Sequence, residues 1–109
     1  MKTDGLEVSV REEGDTLLAT LLGEVDHHTA AKARNTIDTA LFKHRPKRLV
    51  LDLEGVSFMD SSGLGLILGR AALCEELGAG VTLLHPGARV RKILAVAGIS
   101  RLSHIKTED

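Results

Sequence analysis

The feature that most constrains the fold is a regular alternation between strand-like and helix-like segments. Apolar residues alternate, or form short apolar runs, in five strand-like segments: 6–11, 16–23, 48–53, 81–84 and 102–105. Between them lie segments whose apolar residues recur at helical spacing. The predicted order is β-β-α-β-α-β-α-β. It indicates a single α/β domain over residues 1–109, with a mostly parallel sheet and helices packed against it.

Caps and breakers set the limits of these segments. A turn at 12–15 joins the first two strands into a hairpin. The three helices are predicted to run from a cap at Asp26 or Thr29 to Pro46, over 62–77, and from Pro86 and Gly87 to Gly98. The second helix is apolar nearly all round, so one side faces the sheet. Its other side is either covered by a neighbouring helix or exposed for a partner.

Composition and charge exclude several classes of function. The chain has two Phe residues and no Trp or Tyr, so its core is aliphatic and it offers no platforms for base stacking. Its net charge of −1 shows no excess of basic residues of the kind that binds nucleic acid directly or an anionic membrane. The sequence shows no signal peptide or membrane-spanning stretch. The lone Cys74 suggests a buried side chain and a reducing, cytoplasmic location.

Two adjacent hydroxyl groups, those of Ser61 and Ser62, lie where a strand passes into the second helix. A helix N-terminus has unpaired N–H groups and a partial positive charge, so it readily holds a capping oxygen or a phosphate. A serine there serves as a cap, a nucleophile or a phosphorylation site. A hydrolase nucleophile is disfavoured because the Gly-x-Ser-x-Gly motif is absent.

The same helix contains three glycines: Gly63, Gly65 and Gly69. Each interior glycine costs about 0.8–1 kcal/mol relative to alanine. The glycines allow either tight packing on the sheet or the close approach of a partner backbone or phosphate. Neither a Walker loop nor a dinucleotide-binding fingerprint fits their spacing.

A second group of polar residues, Asp26, His27, His28 and Thr29, also lies between a strand and a helix. Such junctions gather at the carboxyl ends of parallel strands, so Asp26 is expected near Ser61. A metal site is disfavoured because neighbouring histidines diverge on a helix and no third ligand has suitable spacing. Capping, a solvated surface or contact with a partner remain open.

The segments Gly-Glu-Val-Asp-His-His-Thr-Ala (23–30) and 57–70, which contains Asp-Ser-Ser-Gly, closely resemble the anti-sigma factor antagonists of the STAS domain family, above all the sporulation branch. The resemblance spans almost the whole chain. Relatives in this family usually carry a further helix after the last strand. We therefore expect this chain to be trimmed there and one sheet face to be less well packed.

The resemblance implies a binding switch and not an enzyme, with no cofactor and no metal. The unphosphorylated antagonist binds an anti-sigma factor that is also a serine kinase, which releases the sigma factor. Phosphorylation then ends binding, and a serine phosphatase resets the switch. The family's phosphorylated serine maps onto Ser61 and its contact aspartate onto Asp26, with Ser62 as the alternative acceptor. The full expected set of partner-binding residues is Asp26, His27, Thr29, Asp60, Ser62, Gly63 and Gly65.

Such a switch needs no large conformational change. The N–H groups of the second helix are expected to receive the phosphate, so the fold survives. The added charge repels an acidic partner group. The free chain is then a monomer or weak dimer, whereas the alternative function, a scaffold or sensor module of a larger signalling assembly, predicts self-association.

Overall fold

The computed structural model describes residues 2–3 and 5–109, with the side chains from residue 5 onward. Six strands form one sheet in the order β1-β2-β3-β4-β5-β6. The first two pairs are antiparallel and the other three are parallel. The elements are β1 (Lys2–Thr3), β2 (Leu6–Glu13), β3 (Thr16–Val25), α1 (Ala30–His44), β4 (Arg48–Met59), α2 (Ser61–Glu76), β5 (Gly80–Leu84), α3 (Ala88–Val96), a 3₁₀ turn (Ile99–Arg101) and β6 (Ile105–Glu108).

The predicted α/β architecture is confirmed, with the short β1 added ahead of the predicted order. Two predicted boundaries were wrong. The strand expected at 102–105 lies at Ile105–Glu108, because the chain between Gly98 and Leu102 turns in a 3₁₀ segment. The strand expected at 48–53 continues to Met59, through a stretch where its pairing with β3 is irregular.

The helices lie on one face of the sheet. α1 packs on β2 and β3, α2 packs on β4 and β5, and the two helices touch each other. Right-handed crossovers between successive neighbouring strands also place every crossover helix on the same side. Alternation in β3 reflects this: Leu17, Ala19 and Leu21 are fully buried, whereas Leu22 on the opposite face is 53% exposed. No helix of residues 2–3 and 5–109 is long and apolar enough to cross a membrane.

The irregular pairing of β3 with β4 sets the position of the loops that follow these strands. The register shifts near Leu22 and Gly23, after which Val25 lies opposite Met59. Gly23 has φ +122°, and a Cβ there would lie 2.1 Å from the carbonyl oxygen of Gly5. Only glycine fits this position, so the ends of β3 and β4 depend on it.

Candidate functional site

Two loops meet at the carboxyl ends of β3 and β4. Asp26 follows Val25 and Asp60 follows Met59, and those two strand residues are paired. The Asp60 N–H also donates a hydrogen bond to the Val25 carbonyl, at 3.3 Å. The expectation that Asp26 lies near the start of α2 is therefore confirmed, since parallel strands bring their following loops to one edge.

Asp60 is the N-cap of α2. Its backbone is extended, and its Oδ1 accepts hydrogen bonds from the N–H groups of Ser62 at 2.8 Å and Gly63 at 3.3 Å. These are the orphan donors that an anion at a helix N-terminus would use. In the unmodified protein the Asp60 carboxylate holds these two donors, and their binding of a phosphate on Ser61 stays a prediction.

Ser61 and Ser62 differ in their surroundings. Ser61 is exposed, and among the described residues its hydroxyl makes no hydrogen bond. Ser62 is half-buried and lines a groove between α1 and α2, whereas Ser61 lines a separate groove between α2 and α3. No hydrogen bond of the described chain joins either serine to a histidine, which a serine nucleophile needs as its base.

The three glycines of α2 have different structural roles. A Cβ on buried Gly63 would lie 2.4 Å from Met59 Cγ and 3.1 Å from Val25, so this glycine is needed for packing within the chain. Its expected role as a partner contact is therefore corrected. A Cβ on Gly65 or Gly69 would meet nothing within 4 Å. The fold itself does not require glycine at those two positions.

The Asp26 loop is held by its own hydrogen bonds. Asp26 Oδ1 accepts from the N–H groups of His28 at 2.9 Å and Thr29 at 3.2 Å. Desolvation raises the pKa of Asp26, but these hydrogen bonds and the charge interactions with His28 and His27 together outweigh it, so the pKa lies below its usual value. His27 and His28 are exposed with ring centroids 4.0 Å apart. Among the described residues, no group of three or more His, Cys, Asp or Glu side chains could hold a metal ion.

Thr29 has a structural role and is not available to a partner. Its side chain is 1% exposed, and its hydroxyl donates to the Glu24 carbonyl and accepts from the Asp26 N–H, both at 3.0 Å. Thr29 occupies the N-cap position of α1 without making a side-chain capping bond. The expectation that Thr29 contacts a partner is therefore corrected. Of the partner-binding residues predicted in this loop besides Asp26, His27 is the exposed one.

A buried ion pair that the sequence pattern did not predict lies beside the site. Arg70 Nε lies 2.7 Å from Asp38 Oδ1, with the Arg70 side chain 8% exposed and that of Asp38 25% exposed. Desolvation lowers the pKa of Arg70, although the Asp38 charge opposes the shift. Arg70 also lines the groove of about 350 Å³ that Ser62 and Gly65 share with α1. The sequence feature that could have indicated this pair is Arg70 itself, a single charged residue within the apolar run of α2.

Comparison with known proteins places these features in a family. The family model described as the STAS domain matches residues 7–108. The chain belongs to the STAS domain family. An anti-sigma F factor antagonist of Lysinibacillus sphaericus is 38% identical over 104 residues, which cover 95% of this chain and 86% of that relative.

Solved structures agree with this assignment. The anti-sigma factor antagonist SpoIIAA in its unphosphorylated form matches this STAS domain with a TM-score of 0.79 and 32% identity, over 93% of this chain and 87% of that one. The Bacillus cell fate determinant SpoIIAA in the phosphorylated form matches with a TM-score of 0.74 and 31% identity, over 93% and 90%. The predicted resemblance to this family is confirmed.

Proposed function

We propose that this STAS domain is an anti-sigma factor antagonist controlled by phosphorylation of Ser61. The unphosphorylated chain binds an anti-sigma factor serine kinase and thereby releases the sigma factor, and a phosphatase reverses the modification. The observation that carries the proposal is the exposed, unbonded Ser61 hydroxyl directly after the capping Asp60. Two kinds of relative support it: proteins named anti-sigma F factor antagonists, and a structural neighbour known in both unphosphorylated and phosphorylated forms.

The electrostatics of the loop edge support a switch by charge. Phosphorylation adds about −1.5 to −2 charges near neutral pH. The Asp60 carboxylate holds two of the N–H groups at the start of α2, and Asp26 lies on the adjacent loop, so the phosphate adds its charge close to two carboxylates. Against an acidic partner group about 5 Å away, each added charge costs roughly 3 kcal/mol at an effective dielectric constant near 20.

A penalty of that size is enough to dissociate the complex. About 3–4 kcal/mol lowers affinity by roughly 10²–10³. Because Ser61 is exposed, the phosphate needs no rearrangement of the core. The proposed contact surface consists of Asp26, His27, Asp60, Ser62 and Gly65 around Ser61. The proposal implies a cytoplasmic location, where sigma factors act, and a free chain that is a monomer or weak dimer.

The test is a binding titration of the anti-sigma factor kinase against wild type, Ser61→Ala and Ser61→Asp. We expect Ser61→Ala to bind like the wild type but to resist release when ATP is added, and Ser61→Asp to bind at least tenfold more weakly. Ser103→Asp is the matched control, because it adds the same charge at another exposed serine, in the turn before β6. Phosphopeptide mapping after incubation with kinase and ATP distinguishes Ser61 from Ser62. Wild-type binding by Ser61→Asp, or phosphate only on Ser62, contradicts the proposal.

A further inference from the structure

An apolar groove lies between α2 and α3. It has a volume of about 460 Å³, and its apolar walls are formed by Leu64 of α2 and by Ile93, Val96 and Ala97 at the end of α3. Val96 is 91% exposed, more than any other large apolar side chain of the described chain. Single exposed apolar residues are ordinary, but adjacent ones that line a concave surface are typical of a contact site.

The position of the groove connects it to the candidate site. Asp60 and Ser61 line it together with the apolar residues, and Lys92 of α3 contributes a cationic side chain. Lys92 has no ion-pair partner among the described residues. A protein that reaches the Ser61 hydroxyl therefore also covers this groove. The α1–α2 groove on the other flank of α2 is more polar, with Arg34 and Arg70 in its lining.

We propose that this groove receives an apolar side chain of the anti-sigma factor kinase, with an acidic group of the kinase beside Lys92. The inference rests on the proposed function, because continuity with Ser61 identifies the occupant. An aliphatic anchor fits the walls formed by Leu64, Ile93 and Val96. Such central, desolvated anchors carry most of the affinity in protein interfaces.

This arrangement would also make the switch more sensitive. When the partner is docked, an apolar side chain excludes water next to Ser61. A phosphate at that position then loses hydration and competes with the acidic group of the kinase for Lys92, and burying charges that one cation cannot fully compensate is costly. The groove therefore adds a penalty for the phosphorylated state that an open, hydrated loop would not impose.

The test compares Val96→Asp with Ala95→Asp in the full chain, using calorimetric titration with the anti-sigma factor kinase. Both residues are exposed on α3, but Ala95 does not line the groove, so the two variants are matched for helix and charge. We expect Val96→Asp to weaken binding at least tenfold and Ala95→Asp to change it less than threefold. Val96→Ala, which keeps the helix intact, should weaken binding about threefold to tenfold. Lys92→Glu should also weaken it, with a smaller dependence of affinity on salt concentration.

The outcomes separate this inference from the proposed function. If Val96→Asp and Val96→Ala bind like the wild type while Ser61→Asp does not, the groove proposal is overturned and the switch stands. If Ser61→Asp also binds like the wild type, the proposed function fails. If Val96→Asp instead abolishes self-association of the free chain and leaves kinase binding unchanged, a second copy occupies the groove, and the proposal is again overturned.

Discussion

Asp60 combines two roles at one residue, because its carboxylate caps α2 and supplies negative charge beside Ser61. The roles can be separated, since asparagine caps a helix about as well as aspartate and carries no charge. We predict that Asp60→Ala lowers the free energy of unfolding by about 1 kcal/mol, whereas Asp60→Asn changes it by a few tenths at most. Urea denaturation of both variants measures this. Equal losses in the two variants would show that charge, and not hydrogen bonding, stabilises the start of α2.

The Arg70–Asp38 pair is the main buried charge contact near the site. Asp38→Ala leaves the Arg70 cation unpaired where its side chain is only 8% exposed, which is costly, whereas Arg70→Met leaves the Asp38 carboxylate, which is 25% exposed and can still be hydrated. We predict that Asp38→Ala lowers the free energy of unfolding by about 3 kcal/mol, the lower end of the usual range, because Asp38 is partly exposed. Arg70→Met should cost less than half as much. Denaturant titrations compare the two, and the reverse order would contradict this account.

Asp26 gives the protein a pH-dependent contribution to stability. Desolvation raises its pKa, but the hydrogen bonds from the N–H groups of His28 and Thr29, with the charge interactions of the two neighbouring histidines, lower it by more, so the folded-state pKa is below the unfolded value. The contribution is therefore complete above about pH 4 and is lost as pH falls through the folded-state pKa. We predict that Asp26→Asn makes the urea midpoint fall less steeply between pH 6 and pH 3. If the urea midpoint of Asp26→Asn fell as steeply with pH as that of the wild type, other carboxylates would dominate the acid sensitivity.

At the scale of elements, α2 contains glycines that the fold needs and glycines that it does not. A Cβ at Gly65 or Gly69 meets no atom within 4 Å, whereas one at Gly63 collides with Met59. We predict that Gly65→Ala and Gly69→Ala each raise the free energy of unfolding by about 0.8–1 kcal/mol, and that Gly63→Ala lowers it. Thermal or urea denaturation checks the signs. If Gly69→Ala lowered the free energy of unfolding, other parts of the chain would have to pack against this side of α2 and leave no space for the Cβ.

The elements whose apolar pattern was strong were predicted well from the sequence. α2 was expected at 62–77 and lies at Ser61–Glu76. The final strand was misplaced because Ile105–Glu108 is a polar edge strand with one buried residue, so its sequence carries little of the apolar alternation that indicates a strand. The second half of β4 was missed because Glu54 and Gly55 interrupt its alternation, and only the irregular pairing with β3 accommodates them.

The candidate site was predicted as a set of neighbouring residues but not in its internal geometry. The meeting of Asp26 with the start of α2 follows from parallel-strand topology. The burial of Thr29 and Gly63 does not, since it depends on which side of a loop or helix faces the core. The occupation of the helix N–H groups by Asp60 and the groove lined by α3 depend on side-chain placement and tertiary packing, which sequence spacing alone does not determine.

At the scale of the whole molecule, a switch by charge requires that modification leaves the packing unchanged, and Cys74 reports on that packing. It is the only cysteine, it is fully buried between α2 and the sheet, and desolvation raises its pKa to about 11. Because the thiolate is the reactive form, a disulfide reagent at pH 8 should label the native protein at least about 10³-fold more slowly than the urea-unfolded chain. Absorbance of the released thiol measures both rates.

We predict that Ser61→Asp labels at Cys74 no more than twofold faster than the wild type. Residues 61 and 74 are separated by 13 helical steps, or about 20 Å, so screening removes any direct effect of the new charge on the thiol. A change in rate would then report only an altered opening of α2. If Ser61→Asp lost kinase binding and also accelerated labelling tenfold or more, the modification would act by loosening α2 from the sheet, and repulsion at an unchanged surface would be the wrong mechanism.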